Sequence, residues 1–211
     1  MARITARELF SPEEKQRIED AVKAAELKTS GEIVPMIVDE SYEYPRAEIL
    51  GGGILALFLA AMLVWISGHD SVWLFLPLYI LLFFACKSLL HHVPELKRRL
   101  IHPAEIAVEV EEKALVAFIE QGLHHTRDST GILILVSLFE RRVHVLADQG
   151  INSVVAPQVW DEIVAIVTDG IKQNRTCDAI CKAVERCGEL LTENFPRKED
   201  DTDELPNLIV E

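Results

Sequence analysis

The sequence has little positive charge and few aromatic residues for its length. Its 211 residues include 21 Lys and Arg against 34 Asp and Glu, which gives a formal net charge of -13, and only 7% of the residues are aromatic. Contacts to nucleic-acid phosphates need a basic surface, so this acidity argues against a nucleic-acid partner. Four cysteines are too few for a disulfide-dense fold.

Motifs for several common chemistries are also missing. The sequence contains no EF-hand loop, P-loop, nucleophile elbow or HExxH motif. No Ser-His-Asp or Cys-His arrangement follows from residue spacing, so no catalytic residue is assigned. The cysteines have no CxxC motif or histidine pair near them, which predicts packing thiols in a reducing compartment rather than a zinc site.

Charge is almost absent from one segment, residues 49–90. There, 31 of 42 residues are hydrophobic, and only Asp70 and Lys87 carry a formal charge. Residues 49–69 would span roughly 31 Å as a helix, the thickness of the hydrocarbon core of a bilayer. Residues 71–90 approach spanning length if Lys87 extends toward the headgroups. We therefore predict a transmembrane helical hairpin over residues 49–90. A buried soluble hairpin and a hairpin that enters and leaves one leaflet remain as alternatives.

Basic residues predict the orientation of this hairpin. The turn between its two runs has no Lys or Arg, whereas Arg46 precedes the first run and residues 97–99, Lys-Arg-Arg, follow the second. Lys and Arg are retained on the cytoplasmic side, so both flanking portions and both termini should face the cytoplasm at a bacterial inner membrane. The basic residues 97–99 and the histidines near them in the sequence predict contact with membrane lipid. Gly51 to Gly53 favour close helix packing and leave open a homo-oligomer formed through the hairpin.

The remaining sequence has the pattern of an α/β domain. The predicted elements, in chain order, are a helix over 11–29, a strand over 32–38, a helix over 103–122, strands over 132–139 and 143–147, and helices over 157–172 and 176–194. The unbroken apolar run from Ile132 to Val136 predicts a central strand covered on both faces.

The hairpin therefore interrupts a small central sheet covered by helices. We predict a discontinuous cytoplasmic domain over residues 1–48 and 92–195. Residues 196–211 contain many acids and no core pattern, which predicts a disordered tail.

Three segments of this domain resemble the TPM domain family. They read TSGEIVPMIV at 29–38, DSTGILILVSLFERRVHVLADQGI at 128–151 and IVTDGIKQNRTCDAICKAVERCGELLTENFP at 166–196. The family includes thylakoid-lumen proteins of photosystem repair and many bacterial membrane proteins. The resemblance implies a three-layer α/β/α domain. It also implies calcium binding in some members and acid phosphatase activity in some plant members.

Three acids fall near the ends of predicted strands. Asp39 ends the first strand, Asp128 precedes the central strand, and Asp148 ends the strand after it. Ligands of open α/β sheets bind where loops meet at strand ends, and calcium or magnesium needs several converging oxygens. We predict these three as candidate ligands of calcium or magnesium. The alternative is that the three aspartates are solvated loop acids or turn caps. For two other acids, Glu32 and Glu140, we predict a structural role in ion pairs or turn caps.

Two functions remain possible on this sequence. The first is a non-catalytic binding, scaffold or regulatory module that brings a protein partner to the inner membrane, favoured because no nucleophile and base are recognisable. The alternative is a metal-dependent phosphatase of the TPM family type, using calcium or magnesium. Whether the protein is an enzyme is left open.

Overall fold

The structure is a computed structural model that describes residues 5–68, 71–126, 129–197 and 205–211. The chain divides into two compact units, Met1–Ser41 with Val108–Glu211, and Tyr42–Ala107. The helices are α1 (Ala6–Leu9), α2 (Pro12–Glu26), α3 (Pro45–Ser67), α4 (Val72–His92), α5 (Pro94–Leu100), α6 (Pro103–Glu120), α7 (Gln149–Asn152), α8 (Gln158–Lys172) and α9 (Thr176–Asn194). The strands are β1 (Glu32–Val38), β2 (Gly131–Ser137), β3 (Arg142–Ala147) and β4 (Ile209–Val210).

The first unit contains a four-stranded mixed sheet in the order β3-β2-β1-β4. β1 runs parallel to β2, with Glu32 opposite Gly131 and Val38 opposite Ser137. β3 returns antiparallel to β2, and β4 lies parallel to β1 at the other edge. Every residue of β1 and β2 is buried. This confirms the prediction of a central strand covered on both faces.

Helices cover both faces of this sheet. On one face, Ile37, Ile134 and other strand residues share a core with residues of α2, α8 and α9. The opposite face carries Leu133, Leu135 and His144. Leu133 and Leu135 are fully buried, Val110 and Ala114 of α6 are buried as well, and Glu111 of α6 lies close enough to His144 to affect its pKa, so α6 covers this second face. The predicted three-layer α/β/α fold is confirmed.

Local sequence signals set the start of α2. The Ser11 hydroxyl accepts a hydrogen bond from the Glu14 amide at 3.2 Å, and the Glu14 carboxylate accepts one from the Ser11 amide at 2.9 Å. Pro12 occupies the first helical position, where no amide is needed. The predicted N-terminus of this helix is confirmed.

The second unit is built on α3 and α4, which are both long and apolar enough, by length and composition, to cross a membrane. Gly52, Ala56 and Ala60 are the small residues of α3 that are buried. A Cβ atom at Gly52 would lie 3.2 Å from the backbone Cα and N of Lys87. Small residues every fourth position let two helices approach closely in this way.

The C-terminal segment differs from the prediction of a disordered tail over residues 196–211. Ile209 and Val210 form β4 and pair with Met36 and Ile37, so the prediction is wrong for these residues. Their apolar run is short and follows many acids, which hides it from compositional reasoning.

Candidate functional site

A buried carboxylate lies where β1 and β2 end. Glu140 follows β2 and is only 3% exposed. It accepts a hydrogen bond from the Ser41 amide at 3.0 Å and another from the Ser137 hydroxyl. Asp39, which follows β1, accepts a hydrogen bond from the Ala6 amide. Both acids thus accept hydrogen bonds from backbone amides or a hydroxyl near the carboxyl ends of β1 and β2, which is the structural role predicted for Glu140.

Asp148 lies at the opposite end of the strands, beside the start of β2. Its backbone amide donates to the carbonyl of Gly131, at the start of β2, over 2.9 Å. Its Oδ1 atom caps α7 by accepting from the Gln149 amide at 2.6 Å. Its Oδ2 atom is buried, and no described residue gives it a hydrogen bond.

This geometry separates two of the three predicted metal ligands. Gly131 pairs with Glu32 at the start of β1, whereas Asp39 follows the end of that strand. At about 3.3 Å per residue, the seven-residue strand separates Asp39 from Asp148 by about 20 Å. Asp39 and Asp148 therefore cannot hold one ion, and the predicted trio is wrong in this respect. The cause is the antiparallel direction of β3, whose carboxyl end lies beside the amino end of β2. Asp128 lies outside the described residues.

A buried ion pair lies at the open end of the α3–α4 hairpin. Lys97 Nζ of α5 donates to Glu48 Oε1 of α3 at 2.9 Å, and the side chains are 7% and 12% exposed. His91 Nδ1 of α4 lies 3.2 Å from the same Glu48 oxygen. One carboxylate therefore holds together three helices of this unit.

Sequence reasoning missed this pair. The sequence predicts that Lys97, Arg98 and Arg99 face lipid, whereas Lys97 is buried, Arg98 is half-buried and Arg99 is exposed. A signal was available, because Glu48 is the one acid directly before an apolar run that is followed by a basic turn. A charge beside an apolar helix end is expected to find an opposite charge.

The rest of the hairpin surface is apolar and exposed. Trp73 is 87% exposed, Trp65 80% and Phe58 70%, and large apolar side chains line both helices. Monomeric soluble proteins rarely expose contiguous apolar patches larger than a few hundred Å². This surface is therefore suited to contact with lipid or with another apolar surface.

The cysteines are free thiols in this structure. Burial raises the pKa of Cys187 to about 12 and that of Cys181 to about 11. A thiolate is the form that attacks electrophiles and binds metals, so neither residue has the character of a nucleophile. This agrees with the predicted packing role.

Comparisons with known proteins identify a similar fold and a matching domain. No curated protein matches the chain significantly. The NMR structure of the BA42 protein from the psychrophilic bacterium Bizionia argentinensis is similar, with a TM-score of 0.58 and 23% sequence identity over 95% of this chain and 94% of that chain. That similarity concerns the fold. The model of the TPM domain matches residues 94–190, which include β2, β3, α8 and most of α9. Over these residues the chain is similar to the TPM domain family.

Proposed function

We propose that the protein is a membrane-anchored binding module. In this proposal the α3–α4 hairpin crosses the bacterial inner membrane, and the TPM-like sheet unit remains in the cytoplasm. There it recruits a protein partner to the membrane or regulates a membrane complex, without catalysis of its own.

The exposed apolar surface of the hairpin carries this proposal. Trp65, Phe58 and Leu81 are examples of these exposed side chains. Transfer of such a side chain from water to an apolar environment is favourable by about 1.5–3 kcal/mol of free energy. A soluble helical hairpin would bury this surface against its own core, yet only 17% of the apolar stretch of α3 and 6% of that of α4 are buried. Helices also satisfy their own backbone hydrogen bonds, as a segment in lipid must.

The charge distribution supports the cytoplasmic orientation. The described residues next to the turn, Gly68 and Ser71, carry no charge, whereas Arg46 and Arg99 flank the other end of the hairpin. Short segments without basic residues are translocated, and basic residues are retained. Both ends of the hairpin then emerge on the cytoplasmic side, so the sheet unit assembles from two chain segments in one compartment.

Membrane extraction tests the anchor. The wild-type protein is expected to sediment with membranes and to resist extraction by alkaline carbonate. A Phe58→Glu/Leu81→Glu variant places charges on the exposed apolar faces and should be extracted. A Val154→Glu/Leu115→Glu variant is the matched control, since these exposed residues belong to the sheet unit, and it should remain in the membrane. Wild-type protein that stays soluble without detergent would contradict the proposal.

The second candidate function is a metal-dependent phosphatase, and the environment of the Asp148 carboxylate supports it. Asp148 Oδ2 is buried and has no hydrogen-bond donor among the described residues, and such a carboxylate oxygen is suited to a hard cation such as calcium or magnesium. Asp39 is not a metal ligand in this second hypothesis.

The test is the thermal midpoint of the detergent-solubilised protein with and without each ion, together with hydrolysis of a generic phosphomonoester. A shift that Asp148→Asn abolishes and Asp39→Asn preserves, accompanied by hydrolysis, would favour the phosphatase over the binding module. No shift and no hydrolysis would remove it.

A further inference from the structure

We propose that the outer edge of β1, from Ile37 to Asp39, is a strand-addition site for an extended peptide of a partner protein. In the isolated protein, residues 208–211 of the chain itself occupy this site. The inference rests on the proposed binding function and deepens it, because it gives the chemistry of the partner.

Main-chain hydrogen bonds define the site. The Glu211 amide donates to the carbonyl of Ile37 at 2.9 Å, and the Asp39 amide donates to the carbonyl of Glu211 at 3.2 Å. The paired strand itself is only two residues long. Such bonds are how an added peptide strand gains affinity, and they do not depend on the peptide's sequence.

The rest of this sheet edge is closed to a longer strand. The Ile33 amide donates to the Glu26 carboxylate at 2.9 Å, so a side chain already occupies that position. Pro35, the next residue facing this edge, has no amide hydrogen to donate. Natural sheets limit edge pairing by such means. The accessible edge is therefore restricted to the last residues of β1 and to Asp39.

Side chains of the bound segment specify which peptide fits. Leu208 and Val210 pack against the apolar core of the sheet unit. The Glu211 carboxylate lies 3.3 Å from Lys113 Nζ on α6. A fitting partner therefore presents an extended segment with apolar residues at alternate positions, followed directly by an acid.

The chain's own segment is a competitor that a partner can displace. It holds the edge through a two-residue strand, and it follows the sequence KEDDTDE at residues 198–204. Because the segment belongs to the same chain, its binding is intramolecular, and its effective concentration is on the order of mM. A partner displaces the segment only if it reaches a comparable local concentration at the membrane.

The test uses the full-length protein in detergent and a fluorescent peptide of residues 205–211. A Val210→Asp variant should release the chain's own segment and bind the peptide at least tenfold more tightly than the wild type. A peptide carrying the same substitution should not bind. The matched control, Val154→Asp, changes an exposed valine away from this edge and should behave as the wild type.

Two further measurements examine the geometry. Hydrogen exchange at the Asp39 amide should accelerate in Val210→Asp and slow again when peptide is added. Adding Lys113→Glu to Val210→Asp should weaken peptide binding by roughly two- to fivefold, as expected for an exposed ion pair.

Several outcomes would overturn the inference. One is a Val210→Asp variant that keeps its thermal transition but does not bind the peptide. Another is unchanged protection of the Asp39 amide in that variant. A concentration-dependent wild-type dimer that Val210→Asp abolishes would assign the edge to a second copy instead of a partner. All of these measurements are made in detergent, so a failure of membrane anchoring would not affect them.

Discussion

Glu48 and Lys97 form a buried ion pair, with 2.9 Å between Oε1 and Nζ, although the two residues are far apart in the sequence. Glu48 precedes the apolar stretch, and Lys97 follows it. The pair therefore holds the two ends of the hairpin unit together where it leaves the proposed bilayer.

Removing one partner of this pair should destabilise the hairpin unit. Glu48→Gln removes the negative charge that lies 2.9 Å from the buried Lys97 ammonium, and breaking a buried ion pair costs about 3 kcal/mol in comparable cases. The thermal midpoint of the detergent-solubilised protein should fall accordingly. Asp169→Asn is the control, because its ion pair with Lys172 is exposed at both side chains, and its loss should have little effect. Equal midpoints for the two variants would contradict this role for Glu48.

Gly52 should not tolerate a larger side chain. A Cβ atom there meets the backbone of Lys87 at 3.2 Å, so Gly52→Leu must push α3 and α4 apart. Overpacking of this kind costs about 1–3 kcal/mol and should lower the thermal midpoint. Gly53→Leu is the matched control, since the nearest atom to a Cβ there is the Tyr79 hydroxyl at 3.7 Å. The same loss in both variants would show that the helices do not pack through Gly52.

His144 should make the sheet unit sensitive to acid. Burial between β3 and α6 lowers the pKa of His144 below its usual 6.5, although the nearby Glu111 opposes the shift. The unfolded chain then binds this proton at higher pH than the folded protein does, so the free energy of unfolding falls as the pH drops below about 6.5. His144→Gln should reduce this acid sensitivity, measured as the thermal midpoint between pH 7.5 and pH 5. The exposed His124→Gln serves as control, and acid sensitivity unchanged in His144→Gln would contradict the prediction.

Cys187 should resist thiol reagents in the folded protein. It is completely buried, and its pKa is raised to about 12, so its thiolate is scarce at pH 8. A maleimide should label it only after denaturation, as followed by mass spectrometry of the peptide that contains it. Rapid labelling of Cys187 under native conditions would show that α9 does not pack as described.

The sheet and its covering helices followed from sequence because their signals are local. The apolar run of β2 and the capping residues of α2 are each contained within a few neighbouring positions. The apolar hairpin was equally evident from its lack of charge. These features need no knowledge of how distant segments meet.

The contacts between distant segments could not be read in the same way. The separation of Asp39 from Asp148 depends on strand direction, because an acid that ends an antiparallel strand lies beside the start of its neighbour. The pair of Glu48 and Lys97 depends on the hairpin bringing its two ends together. The short strand β4 depends on an edge of β1 that Pro35 and Glu26 leave open only in part.

Reporter fusions at Gly68 and Glu211 test the central claim most directly. If the hairpin spans the inner membrane with the sheet unit in the cytoplasm, a reporter active only outside the cytoplasm should be active after Gly68 and inactive after Glu211. A reporter active only in the cytoplasm should show the reverse pattern. The same side for both positions would contradict a spanning hairpin.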